Sequence, residues 1–188
     1  MVLKELPPDG PFVLLGESFS GPLAIMAAAS RPPGLAGVVL SASFVSNPHP
    51  YIPGFMAHLV RPELFRLYPV VAQIKVLLGG HSSPQVRALI RAALARVSPE
   101  VFAARVRQVV QVDVAALLPG VAAATPMLYL RARNDHVVPA ANFRTIQKLA
   151  PSVREITIPG PHMLLQSSAD IAAQVLCDYL RGLQHERR

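Results

Sequence analysis

Apolar positions along this chain fall into two kinds of pattern. Residues 12–15 (FVLL) and 37–42 (GVVLSA) are short unbroken apolar runs, the signature of strands buried on both faces. Residues 127–131 (MLYLR) and 153–158 (VREITI) read as two more strands. Between them lie helical patterns. Residues 21–30 form an Ala-rich segment that stops at RPPG, where proline blocks continuation. Residues 83–97 carry apolar side chains at Val86, Leu89, Ile90, Ala93, Leu94 and Val97, with Pro84 near the first turn. A second such helix opens with Ser98 as N-cap and Pro99 at the first position. Residues 62–78 hold one or two short helices, and VPAANFRTIQKLAP reads as another. The last helix, residues 168–183, sets Ile171, Val175, Leu176 and Tyr179 on one face. Four strands mostly alternating with helices predict an α/β protein with parallel strands. Residues 47–119, a loop (NPHPYIPG) followed by helices, interrupt that alternation as an all-helical insertion.

Composition narrows this picture in a few places. With 188 residues the chain is long enough for one domain with its own core, and 52% apolar against 6% aromatic residues makes that core mostly Ala, Val and Leu. No apolar run reaches the ~18 residues of a membrane helix, and MVLKELPPDGP lacks the apolar region of a secretory signal. A single cysteine, Cys177, excludes an internal disulfide and a multi-cysteine metal site, and its helical surroundings predict a buried small side chain. A cytoplasmic protein without a membrane partner is the expectation.

The chemistry concentrates around one serine. In FVLLGESFSGPLAIMAAAS a strand-like run breaks at a glycine, presents Ser18 and becomes a helix. A serine hydroxyl is a weak nucleophile unless a base takes its proton. It must also stand clear of the sheet for a substrate to reach it. A sharp strand-to-helix turn lifts the side chain out and aims a helix N-terminus at developing negative charge. Small residues two positions either side, Gly16 and Ser20, with Gly21 following, let such a turn pack closely.

GESFSG resembles the nucleophile elbow of the α/β-hydrolases, G-x-S-x-G, with Ser20 in place of the last glycine. That family orders its residues Ser, Asp, His along the chain, with the acid after a later strand and the histidine after the last one. Asp135, just past MLYLR, and His162, just past VREITI, match those places. The resemblance therefore implies a catalytic set of Ser18, Asp135 and His162, with the Phe19 N–H as one oxyanion donor. Asp113 is the rival acid, but it belongs to the helical insertion. His136 adjoins Asp135 too closely to serve it well. His49, His58 and His81 are expected at the surface or lining a pocket, and no histidine shows metal-ligand spacing.

The family's sheet usually has eight strands, with the nucleophile after the fifth, whereas eleven residues precede Phe12 here. The resemblance thus implies a truncated α/β-hydrolase fold with about four parallel strands, equivalent to strands five to eight. Residues 1–46 would carry the nucleophile part of the core, 47–119 a helical cap, and 120–188 the acid and base. VLKELPPDG resembles the tail of the helix that precedes the nucleophile strand. The strand at residues 12–15 should then have a bare edge, and such edges recruit partners. A homo-oligomer, at least a dimer, is expected to cover it. The second oxyanion donor, which the family takes from a loop after its third strand, would have to come from another loop, water or a neighbouring subunit. One missing donor can cost roughly 2.7–4 kcal/mol of transition-state stabilisation.

The implied activity is a carboxylic-ester hydrolase working through an acyl-enzyme on small to medium acyl esters, without cofactor or metal. The pocket is expected to draw on Glu17, Phe55, Leu59, Leu64, Phe65, Leu77 and Met163, with Glu17 also tuning the field beside the nucleophile. Hydrolysis of a thioester, lactone or C–C bond by the same residues stays open, as does an impaired remnant acting as an assembly or binding module. Nucleic-acid binding rests only on the +7 net charge. Only Lys4, Lys75 and Lys148 are lysines, so the charge is dispersed arginine. Arg87, Arg91, Arg96, Arg105 and Arg107 read as solvated helix faces, without the interleaved aromatics of a nucleic-acid stripe.

Overall fold

A computed structural model describes residues 2–80 and 82–185. Its centre is a four-stranded parallel sheet in the order β1 (Phe12–Glu17), β2 (Leu35–Ser41), β3 (Met127–Ala132), β4 (Arg154–Ile158). The registers Leu14↔Val38, Leu40↔Tyr129 and Leu130↔Ile156 bring the C-terminal ends of the strands to one rim. Side chains alternate along each strand, yet both faces are buried, which is why β2 and β3 read as unbroken apolar runs. On one face Val38, Leu40, Met127 and Tyr129 pack against α1 (Ser20–Ala29) and further helices introduced below. On the other, Val39, Leu128, Leu130 and Ile158 pack against the C-terminal helices.

The insertion runs from a 3-10 turn (Gly54–Leu59) through α2 (Pro62–Leu67), α3 (Val70–Leu78), α4 (Pro84–Ala95) and α5 (Pro99–Gln111). Its two ends meet: Ser46 and Asp113 form an antiparallel bridge, and Val114 N–H donates to Val45 O at 2.8 Å. Proline starts both longer helices after a serine cap, Ser83 accepting from Val86 N–H and Ser98 from Val101 N–H. The segment holds itself together by its own contacts, among them Arg66 of α2, which donates to Glu100 of α5 at 2.6 Å. Ile74, Leu78 and Ile90 make a small core of their own, and the rings of Phe65 and Phe102 meet at 4.6 Å. Arg107 is not solvated as the sequence suggests; half-buried, it donates to Val60 O at 2.9 Å and ties α5 to the chain entering α2.

Beyond the insertion α6 (Leu118–Ala124) and α7 (Ala141–Leu149) cover the same sheet face as α1, through Leu118, Val121, Phe143 and Ile146. The opposite face takes α8 (Leu164–Ser167) and α9 (Ala169–His185). The stripe of α9 that meets the sheet is Ala172, Val175, Leu176 and Tyr179, with Leu183 buried one turn further on. Cys177 falls outside it and is exposed, contrary to the expectation of a buried thiol, and Ile171 is exposed for the same reason.

Two further expectations meet the structure differently. Residues 12–15 read as buried on both faces, yet Leu15 is 42% exposed; among the described residues β1 is the outer strand, paired with β2 alone, in agreement with the expected bare edge. Leu23 and Met26 of α1 are exposed as well, bordering a groove with Gln108 and Gln111 of α5. Val2–Glu5 forms a single 3-10 turn where the family resemblance implies a helix tail. His81 lies outside the described residues. Among the described residues no helix is long and apolar enough to cross a membrane.

Candidate active site

At the C-terminal rim of the sheet the chain leaves β1 through Ser18 with φ 53°, a left-handed conformation uncommon for any residue but glycine. That backbone bend lets α1 start two residues later. Two glycines make the bend possible. A Cβ at Gly16 would lie 2.7 Å from the Gly21 Cα, and one at Gly21 would overlap the Ser43 hydroxyl. Ser20, in the position where the elbow usually has glycine, turns its hydroxyl back to donate to Glu17 O at 2.8 Å. A small polar residue therefore suits this place as well as glycine does.

The end of β2 holds the turn from beneath. Ser18 N–H donates to Ser41 O at 2.9 Å, and the Ser18 carbonyl accepts from Ser43 Oγ at 2.8 Å and from Gly21 N–H at 3.0 Å. Ser43 is itself gripped through its backbone. Its carbonyl accepts from Tyr129 Oη at 2.7 Å, and its N–H donates to the same oxygen at 3.2 Å. Burial pushes the Tyr129 phenol well above its ordinary range, so it stays a neutral donor there. Neither Ser43 nor Tyr129 was legible as part of the site. The only signal is that both lie where parallel strands end, on the rim where open α/β sheets place their sites.

Asp135 and His162 come to the same rim from the loops after β3 and β4. One Asp135 oxygen accepts from the N–H groups of Val137 and Val138, both at 2.8 Å, which fixes the carboxylate. His162 Nδ1 lies 2.9 Å from the other oxygen and 3.1 Å from the first. Its Nε2 lies 2.8 Å from Ser18 Oγ. A carboxylate only accepts, so Nδ1 carries the ring proton and Nε2 is the acceptor facing the serine hydroxyl. The histidine and aspartate side chains are 2% and 4% exposed. Desolvation of this kind strengthens such hydrogen bonds and excludes competing water. Asp113 sits instead at the base of the insertion, where it accepts from Ala115 N–H at 3.0 Å, and His136 is exposed. The Phe19 N–H, next after Ser18, has no acceptor among the described residues.

Ser18 opens into a cavity of about 330 Å³ beneath α3 and α5. Its lining is nearly all apolar. Of the expected pocket residues, Phe65 and Leu77 line it. The others do not. Phe55, 73% exposed, borders an open groove on the far side of the NPHPYIPG loop, while Leu59 and Leu64 point to solvent. Met163 packs against the Ile74–Leu78–Ile90 core. Glu17 faces away from the cavity, toward α8. The side chains that replace them come largely from α5, where Phe102, Val106, Val109 and Val110 repeat at helical spacing. That apolar stripe was visible in the sequence without any sign of what it faced. His49 also lines the cavity, its Nδ1 held 2.8 Å from Tyr51 Oη, whereas His58 is exposed. Among the described residues no cluster of three or more His, Cys, Asp or Glu could hold a metal ion.

No curated protein sequence matches this chain at a significant level. Solved structures do match its fold. A thermophilic esterase from Thermogutta terrifontis superposes with a TM-score of 0.76 at 23% identity, over 93% of this chain and 66% of its own. The enol-lactonase from Burkholderia xenovorans gives 0.76 at 19% identity, over 92% and 66%. An esterase from Exiguobacterium antarcticum gives 0.77 at 12% identity, over 92% and 67%. The chain thus spans about two thirds of the length of these structures. The profile of one hydrolase family, described as serine aminopeptidase, S33, matches residues 2–168. With that match running through the Ser18 turn, both loops at the rim and the helices between them, the chain belongs to this family of α/β-hydrolases.

Proposed function

We propose that the protein is a carboxylic-ester hydrolase that works through an acyl-enzyme on Ser18. One observation carries this: His162 bridges the Ser18 hydroxyl and the Asp135 carboxylate within hydrogen-bond distance on both sides, at the mouth of an apolar cavity. Ser18 Oγ attacks the ester carbonyl while its proton passes to His162 Nε2. Asp135 holds the imidazole through Nδ1–H and stabilises the imidazolium as it forms. The Phe19 N–H donates to the developing oxyanion. The C–O bond of the leaving group breaks as Nε2–H protonates the departing alkoxide oxygen, releasing the alcohol. Water, deprotonated by the same Nε2, then attacks the acyl carbonyl; the bond to Ser18 Oγ breaks as Nε2–H returns its proton to that oxygen, and the carboxylic acid leaves.

The cavity lining favours esters with apolar acyl groups over peptides with a free amino terminus. Recognition of a terminal ammonium calls for a carboxylate or several carbonyls in the pocket, and among the described residues no aspartate or glutamate lines this one. The α3 and α5 helices act as the cap over the acyl group.

The test is hydrolysis of p-nitrophenyl acetate and butyrate alongside an aminoacyl p-nitroanilide, for wild type and Ser18→Ala. Ester turnover that vanishes in the variant, with no anilide turnover, supports the proposal. Equal ester rates in the two proteins remove it, and anilide turnover redirects it to a peptidase.

A further inference from the structure

The carboxylate of Glu17, directly before the nucleophile, reaches across to the chain that carries the base. Its Oε1 accepts from Leu165 N–H at 3.1 Å and its Oε2 from Gln166 Nε2 at 2.9 Å. Leu165 and Gln166 follow His162 by three and four residues, in the short helix α8. That helix is a single turn, too short to be stable alone. Besides the contacts of its own ring with Asp135 and Ser18, the His162 loop is tied to neighbouring elements by Gly160 O, which accepts from Asn134 N–H at 3.0 Å, and by Met163 N–H, which donates to Leu77 O at 3.3 Å, at the end of α3. The imidazole must meet Ser18 Oγ at 2.8 Å, so a shift of the turn by a fraction of that distance breaks the contact.

We infer that Glu17 is a positioning residue for His162: it clamps the base-bearing turn onto the strand that bears the nucleophile, so both partners of the Ser18–His162 contact are referred to one rigid element. This role presupposes the ester-hydrolase chemistry of Ser18 and His162. It also assigns a reason for glutamate over another residue at this position. Two acceptor oxygens on one side chain meet two donors on consecutive residues, and a carboxylate accepts at both.

A detail of Gln166 sharpens the test. Its Oε1 is buried and without a partner among the described residues. With glutamine at position 17, the new amide would donate to that oxygen once the Gln166 amide turns over, so Glu17→Gln preserves the clamp. Glu17→Ala removes it.

The experiment measures kcat and KM on p-nitrophenyl butyrate for wild type, Glu17→Ala and Glu17→Gln, each also combined with His162→Ala. It adds melting temperatures and the His162 Nδ1–H proton resonance by NMR. The expected result is a fall in kcat of roughly tenfold to a hundredfold for Glu17→Ala at unchanged KM. No further loss is expected in the His162→Ala background, because the clamp acts only through that imidazole. Glu17→Gln recovers most of kcat, and the Nδ1–H resonance weakens in Glu17→Ala alone. The inference is overturned by wild-type kcat and resonance in Glu17→Ala, or by an equal loss of activity in both backgrounds. Should alanine at 17 prevent folding, Gln166→Ala cuts half the clamp from the other side, and it must show the same loss confined to kcat. A wild-type protein without Ser18-dependent turnover counts against the ester-hydrolase proposal instead, and the NMR comparison then decides the positioning role by itself.

Discussion

The Ser43 hydroxyl donates a hydrogen bond to the carbonyl of Ser18 at 2.8 Å, joining the strained turn after β1 to the end of β2. A left-handed φ at a non-glycine residue persists only where its surroundings hold it. Ser43 is a large part of what holds it here, and it is fully buried. Ser43→Ala should therefore lower stability by about 1 kcal/mol, a shift of about 2–4 °C in melting temperature for a chain of this size. It should also reduce esterase kcat more than KM. Calorimetry with steady-state kinetics checks both, and an unchanged kcat would separate the strained turn from catalysis.

Asp135→Asn keeps an oxygen for the Val137 and Val138 N–H groups but offers an amide donor to His162. The imidazole must then present Nδ1 as acceptor and carry its proton on Nε2, facing the wrong way for Ser18. A loss of activity on the order of 10⁴-fold is expected with little change in melting temperature. Recovery of the wild-type rate in this variant would mean that Asp135 does not orient the base.

Gly21→Ala should be costly for a reason unconnected with helix propensity, since alanine is the better helix former. Its methyl group would overlap the Ser43 hydroxyl. Displacing Ser43 forces the turn to repack, at about 1–3 kcal/mol. A urea titration that shows no loss would indicate that the turn packs more loosely than its geometry implies.

Val106 lines the cavity from α5, opposite the sheet. Val106→Trp fills part of its volume and should raise KM for butyrate and longer p-nitrophenyl esters while leaving acetate nearly unaffected. Parallel losses across all chain lengths would place the acyl group elsewhere.

Among the described residues the outer edge of β1 has no strand beside it, and Leu15 of that strand is exposed. Edges of this kind associate unless charged or covered. Light scattering coupled to size exclusion is expected to show at least a dimer, and Leu15→Lys to shift it toward monomer. A monomeric wild type would contradict that expectation.

How much of this was legible in the chain depended on whether the deciding neighbours were local. The strands at residues 37–42 and 127–131 announced themselves because burial on both faces leaves no polar alternation, and the serine–proline starts of α4 and α5 are local chemistry. The four site residues Gly16, Ser18, Asp135 and His162 were readable because each sits at a strand end whose position is set within a few residues. Of the cavity lining, Phe65 and Leu77 were readable and the rest was not. Phe55 and Leu59 lie in a 3-10 turn, where three residues per turn replace 3.6 and a face cannot be extrapolated from helical spacing. The Tyr129–Ser43 contact spans 86 positions, and Glu17 meets Leu165 across 148. Both arise from pairing of strands and loops that no local pattern reports. The apolar run at residues 12–15 said only that its side chains were hydrophobic; that one side of the strand would lack a neighbour followed from the family resemblance and the eleven residues before Phe12.

The most direct measurement of the central claim is mass spectrometry of the protein after treatment with a fluorophosphonate. Ser18 as an activated nucleophile predicts one phosphonyl group per chain, on the peptide that contains Ser18, with labelling much slower in His162→Ala. Absence of the adduct under conditions that label a control serine hydrolase, or its location on another residue, would contradict the account.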